Sequence, residues 1–178
     1  MNIAQLGAGP KPPSEIYAVI EIPKNSNVKY ELDKETGILM VDRFVYTAMS
    51  YPFNYGFIPA SLEEDGDPVD VMVLTDSPIV PGAALIVKPL GLLQMEDEAG
   101  VDTKVVAVPK EKLDPVWGKL QDIQDIPEHY RNKIKHFFDH MKELEPGKWV
   151  KTKDWLAKEK AEENILRAIE RYKQHNFK

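Results

Sequence analysis

Apolar positions along the chain follow two periods. Segments 17–22, 38–44, 69–74, 85–93 and 104–108 are rich in β-branched residues and predict strands, all in the first two thirds of the sequence. In the last third, Tyr130, Ile134, Phe137, Phe138, Met141 and Leu144 recur every three or four residues after the start signals Asp125 and Pro127, which predicts an amphipathic helix. A second helix is expected from Asp154 as N-cap, with Trp155, Ile165, Ile169 and Tyr172 on one face and Pro146-Gly147 breaking the two apart. Strands followed by helices predict an α+β domain, and short strands avoid exposed edges by closing into a small barrel with helices packed outside.

No repeat, charge block or Gly/Ser linker divides the 178 residues, so one domain spanning 1–178 is expected. The absence of cysteine excludes disulfides, thiolate zinc sites and cysteine nucleophiles, leaving oxygen or imidazole to hold any metal. No basic segment with a following apolar run occurs near the start, and the apolar stretch 79–93 is broken by Pro81, Lys88 and Pro89. A cytoplasmic protein outside the membrane is the expectation. The net charge of -6 argues against a nucleic-acid partner, which selects for a basic face. An acidic protein binds a small polyphosphate when divalent cations on its carboxylates offset the repulsion.

That condition directs attention to Asp65-Gly66-Asp67-Pro68-Val69-Asp70, where three carboxylates fall within six residues at a turn leading into an apolar strand. A hard divalent cation relieves their repulsion and takes oxygen ligands from several side chains. A second acidic turn contains Asp97, Glu98 and Asp102, two residues before Lys104. Each turn, taken separately, also has the composition of an ordinary solvated turn. A calcium EF-hand does not fit, because Val69 and Asp70 stand where that loop needs an oxygen ligand and a glycine.

Glu21, Lys29, Glu31 and Arg43 mix charge signs along strand-like segments, as a polar cavity wall or a decorated surface would. Lys29, Arg43 and Lys104 are candidate donors to phosphoryl oxygens. Between them, the aromatics of Tyr51-Pro52-Phe53-Asn54-Tyr55-Gly56-Phe57 alternate at the strand period, the two tyrosines adding hydroxyls that can reach a phosphate or orient a carboxylate. Neither a Walker loop nor a Gly-x-Ser-x-Gly elbow is present.

From about residue 17 to 151 the chain resembles the soluble family I inorganic pyrophosphatases of bacteria. The resemblance rests on Asp65-Gly66-Asp67-Pro68-Val69-Asp70-Val71, Lys29-Tyr30-Glu31, Asp42-Arg43-Phe44, Tyr51-Pro52 and Asn54-Tyr55-Gly56. It implies a closed five-stranded OB-like barrel with outer helices and hydrolysis of pyrophosphate to two phosphates by direct attack of a metal-activated water. It also implies several Mg²⁺ ions per site, with Mn²⁺ or Zn²⁺ as substitutes, and a homohexamer. Carried over residue by residue, Asp65, Asp70, Asp97 and Asp102 are the expected metal ligands and Asp67 the general base. Glu21 and Glu31 complete the acidic wall, Lys104 sits beside Asp102, Lys29, Arg43 and Lys142 grip the phosphates, and Tyr55 reaches the metal and nucleophile region.

At one position the chain departs from that pattern: Met141 stands where a tyrosine donating to phosphate is usual, and weaker phosphate affinity is the expected consequence. Met141 also lies four residues after Phe137, on the side of the helix expected to pack inward. His136 and His140, spaced as a helix pair, suggest a subunit contact by the resemblance and a metal clamp by spacing alone. Two alternatives to a working hydrolase remain open: a barrel that stacks single-stranded nucleic acid on its aromatics, and a weakened relative kept for assembly.

Overall fold

The computed structural model describes residues 6–33 and 36–176. Its elements run β1 (Ile16–Ile22), β2 (Val28–Leu32), β3 (Leu39–Phe44), β4 (Asn54–Phe57), β5 (Asp70–Val73), β6 (Ala84–Asp97), β7 (Gly100–Pro109), α1 (Glu128–His140), β8 (Val150–Ala157) and α2 (Lys158–Asn176). Five strands close a ring in the order β1-β4-β5-β7-β6, with β6 returning to β1 through Ile16↔Val87 and Val19↔Ala84. Closure leaves none of these five with a free edge. The β5–β7 pair is parallel and the other pairings are antiparallel. β2 and β3 form a separate two-stranded hairpin. The predicted OB-like barrel with outer helices is therefore the fold of this chain.

Packing explains why several barrel strands read as continuous apolar runs. Along β5 and β7, Met72 and Val106 enter one apolar layer while Val71, Val73, Val105 and Ala107 enter another. Both faces of each strand are thus buried, which removes the polar alternation of a half-exposed sheet. Helix α1 joins the first layer through Ile134, Phe137 and Phe138, and α2 joins the second through Ala161, Ile165 and Ala168. Gly56 is required where β4 crosses β1, because a Cβ there would lie 1.9 Å from the Val19 carbonyl oxygen.

The structure corrects the reading of the last third. Residues Val150–Ala157 form β8 rather than the start of a helix, and Asp154 is a strand residue rather than an N-cap. The segment completes its backbone hydrogen bonds on β6, with Leu93↔Trp155 and Leu92↔Leu156 in register. Sheet pairing thus overrides the local start signal. Helix α2 begins at Lys158, so Trp155 does not share a helical face with Ile165: it packs against the first layer and Ile165 lies in the second. Leu144 likewise falls outside α1, which ends at His140 with Met141 as C-cap, and Leu144 is exposed.

Candidate active site

A cleft of about 1010 Å³ opens where the barrel, the β2–β3 hairpin, the turn after α1 and the end of α2 meet. Its lining brings together Glu21, Lys29, Glu31, Arg43, Tyr55, Asp65, Asp67, Asp70, Asp97, Asp102, Lys104 and Lys142, the full set of residues expected from the sequence.

The acidic wall is built by the loop between β4 and β5 and by the strand ends beside it. Ser61 closes the loop base, its Oγ donating to the Ile58 carbonyl (2.6 Å) and accepting the Val69 amide (2.9 Å). Within the loop, Asp65 Oδ1 accepts the Asp67 amide at 2.9 Å, and Gly66 takes a φ of 92° that L side chains rarely adopt. Asp70 opens β5, while Asp97 and Asp102 stand either side of the tight β6–β7 turn, paired with Gly100 and Met95. Side chains two apart on a strand share a face, so Asp102 and Lys104 point the same way. The parallel register Val71↔Val105 then carries Asp70 to the same ammonium. Lys104 Nζ donates to Asp102 Oδ1 at 2.6 Å and to Asp70 Oδ2.

Burial and like charge dominate this wall. Burial pushes the Glu21 carboxyl up to about 7, against a 2.7 Å hydrogen bond from the Leu32 amide and with the help of nearby Asp70 and Glu31. Asp102 is raised by burial too, with Lys104 opposing and Asp70 and Asp97 adding repulsion. Lys104 is buried, which disfavours its charge, yet Asp70 and Asp102 hold it protonated well above the usual lysine range. Tyr55 is 7% exposed, and burial beside Asp70 and Asp102 keeps its phenol a donor at any ordinary pH.

The opposite wall carries cations that already have partners. Lys29 and Arg43 face each other across the hairpin. Asp42 Oδ2 accepts from both Lys29 Nζ and Arg43 Nε at 2.9 Å, Lys29 also reaches Glu31 at 2.5 Å, and Arg43 Nη1 reaches Glu145 at 2.9 Å. Lys142, two residues beyond α1, donates to Asp97 Oδ2 at 2.9 Å. Burial works against the Lys29 charge, but its two carboxylate partners raise its pKa overall.

Tyr51, read from the sequence beside Tyr55 for its hydroxyl, lines the cleft, and Tyr172, read as a packing residue, lines it too; sequence reasoning gives no role to Asp42, Glu145, Lys148 or His175. Asp42 adjoins Arg43, and that adjacency was its available signal. Glu145 meets Arg43 across 102 residues, and Tyr172 and His175 reach the cleft from the last turns of α2, so only the folded chain brings them there. Met141 does both things its position allowed, lining the cleft and packing against the first apolar layer.

Among the described residues no three acidic or histidine side chains form a ready-made ligand set. Carboxylates do converge in pairs, Asp70 with Asp102 around Lys104, while Asp65 and Asp67 line the same cleft from one turn. Such pairs suit Mg²⁺, which takes one or two protein carboxylates and fills its remaining positions with water and phosphate. The all-oxygen donors, and the burial that with neighbouring carboxylates raises Glu21 and Asp102, fit a hard divalent cation. Tyr51, Phe53 and Tyr55 are at most 7% exposed, so the rings that could have stacked bases are interior. Among the described residues no helix is long and apolar enough to cross a membrane.

Comparison with known proteins matches residues 18–173 to the family model of inorganic pyrophosphatase. The chain is 54% identical over 173 residues to the inorganic pyrophosphatase of Aquifex pyrophilus, covering 97% of this chain and 98% of that one. It is 58% identical over 169 residues to the inorganic pyrophosphatase of Aeropyrum pernix, covering 95% and 96%. The crystal structure of inorganic pyrophosphatase from Thermus thermophilus superposes with a TM-score of 0.93 at 44% identity, covering 97% of this chain and 99% of that one. The structure of an inorganic pyrophosphatase from Coxiella burnetii gives 0.90 at 48% identity, covering 93% and 99%.

Proposed function

The chain belongs to the inorganic pyrophosphatase family, and from that premise we propose that it hydrolyses pyrophosphate to two orthophosphates, with Mg²⁺ held in the acidic wall and Asp67 as general base. The observation that carries this reading is the convergence of Asp65, Asp67, Asp70 and Asp102 on one cleft facing Lys29, Arg43 and Lys142.

Asp65, Asp70 and Asp102 would hold the cations, with Asp97 joining Asp102. When bound, the cations neutralise the carboxylates and the substrate's charge and lower the pKa of water. Asp67 lies exposed to the cleft at the tip of its loop and takes the proton as a water oxygen bonds to phosphorus. The bridging P–O bond breaks in line, and the second orthophosphate leaves with the electron pair. Arg43 and Lys29 exchange Asp42, Glu145 and Glu31 for phosphate oxygens, and Lys142 exchanges Asp97. Tyr55, kept protonated, donates toward the carboxylates that surround the reacting water. No covalent phosphoenzyme is needed, so water rather than a side chain is the acceptor.

Asp67→Asn should keep metal binding yet lower kcat by roughly 10²- to 10⁴-fold, the usual range for a lost general base. Normal turnover in that variant excludes Asp67 from the role. The remaining expectations join the same proposal: one domain over 1–178, a cytoplasmic site of action, no nucleic-acid partner, and a homohexamer. The exposed His136 ring stacks 4.3 Å from His140 on α1, where a subunit contact would place both on a shared face.

A further inference from the structure

Helix α2 packs outside the barrel, yet its C-terminal half is fastened to the loop that carries Asp65 and Asp67. The Leu62 amide donates to the Ala168 carbonyl at 3.0 Å. Arg171 Nη1 donates to the Leu62 carbonyl at 2.8 Å. Both backbone groups of Leu62 are therefore satisfied by the helix, where a strand residue would use a sheet partner. Asn164 Nδ2 donates to Glu63 Oε1 at 3.0 Å, and Arg171 pairs with Glu63 at 3.6 Å and Glu64 at 3.2 Å. Burial raises the Glu63 carboxyl, with Asn164 and Arg171 offsetting part of the rise.

These contacts continue into the loop. The Glu63 amide donates to the Asp67 carbonyl at 2.7 Å, and the Gly66 amide donates to the Glu63 carbonyl at 3.3 Å. A displacement of Leu62 and Glu63 is thus passed to Asp67 by hydrogen bonds rather than by slack chain. The loop is held on two sides: Ser61 ties its base to the barrel, and Arg171, with Asn164 and the Ala168 carbonyl, ties its approach to α2. The next residues of the same helix, Tyr172 and His175, line the same cleft.

We propose that Arg171 is a positioning residue, holding the loop from α2 so that Asp67 meets the attacking water. This rests on the reading of Asp67 as the base. The guanidinium is suited to the task because its planar fork engages a backbone carbonyl and carboxylates together, which an ammonium does less well. The exposed pair with Glu64 contributes little, and the shorter bond to the Leu62 carbonyl is the contact by which Arg171 holds the backbone, beside the Leu62 amide's own bond to Ala168. A shift of about 1 Å in a reacting group is enough to cost about a hundredfold in rate.

The test compares pyrophosphate turnover with Mg²⁺ in the full chain and in Arg171→Gln, Arg171→Lys and Lys173→Gln. Arg171→Gln should lower kcat roughly ten- to a hundredfold with KM unchanged, since the phosphate-gripping cations lie on the other wall. Arg171→Lys should recover part of the rate. Lys173→Gln removes a charge from the same helix end, one that pairs with Glu170 at 4.0 Å, and should match the parent. An unchanged kcat in Arg171→Gln, a loss confined to KM, or an equal loss in Lys173→Gln overturns the proposal. If Arg171→Gln does not fold, Arg171→Met takes its place, and a parental kcat there overturns the proposal instead. Asp67→Asn assayed alongside separates the two readings: full turnover there removes the base, whereas a silent Arg171→Gln beside an inactive Asp67→Asn removes only the anchor.

Discussion

The two walls of the cleft carry opposite charge in opposite ways. On the acidic wall, Asp70 and Asp102 crowd around Lys104, and burial has raised Glu21 and Asp102. On the basic wall, Lys29, Arg43 and Lys142 each hold a carboxylate at 2.9 Å, and Lys29 and Arg43 are partly exposed on a hairpin outside the barrel. One wall is short of positive charge; on the other each cation is already paired, Lys142 with Asp97 of the acidic wall. The difference teaches where the chemistry divides. A charge deficit in a buried place is relieved by a divalent cation. A set of ion pairs is suited to trading carboxylate for phosphate, because each cation then keeps a charged oxygen partner before and after the exchange.

The strongest way to break this division is at the basic wall. Arg43→Lys keeps the charge but loses the fork that spans Asp42 and Glu145. It should lower kcat/KM by about 10²- to 10³-fold, the range for a lost donor to developing charge; steady-state kinetics showing parental values would mean that charge alone suffices there.

The acidic wall is sharpened by Glu21→Gln, read in the presence of chelator. Between pH 4.5 and about 7 the folded carboxyl stays protonated while the unfolded one ionises, so Glu21 lowers stability as pH rises through that window. Removing the titration should raise stability at pH 8 by about 2–3 kcal/mol and leave it unchanged near pH 4. Urea unfolding at the two pH values decides this, and an equal effect at both would show that burial of Glu21 is not what strains the wall.

The smallest effect belongs to the position between the walls. Met141→Tyr adds a donor where the lining has a thioether, and should lower KM and strengthen phosphate inhibition about tenfold, near the lower limit for a hydrogen bond to a charged group. Unchanged values would leave Met141 as a packing residue only.

How much of this was legible depended on how far each signal reaches along the chain. The acidic loop announced itself because Asp65, Asp67 and Asp70 crowd into one turn, and Lys29 with Arg43 showed as charges on strand-like segments. The resemblance supplied Lys142, whose own neighbourhood carries no such mark. Strand β8 was misread because Asp154 followed by an apolar residue mimics a helix start, and its true partner, β6, lies some sixty residues earlier. The counter-ions Asp42 and Glu145, and the anchoring of the acidic loop by Arg171, depend on contacts made only once hairpin, barrel and α2 have come together.

The most direct test of the central claim is phosphate release from pyrophosphate as Mg²⁺ is titrated into chelated protein, with ATP and a phosphomonoester assayed beside it. The account predicts negligible release without the cation, saturable release with it, and a marked preference for pyrophosphate. Release that ignores Mg²⁺, or none at any concentration, would contradict the claim that these carboxylates converge to bring cations and pyrophosphate together.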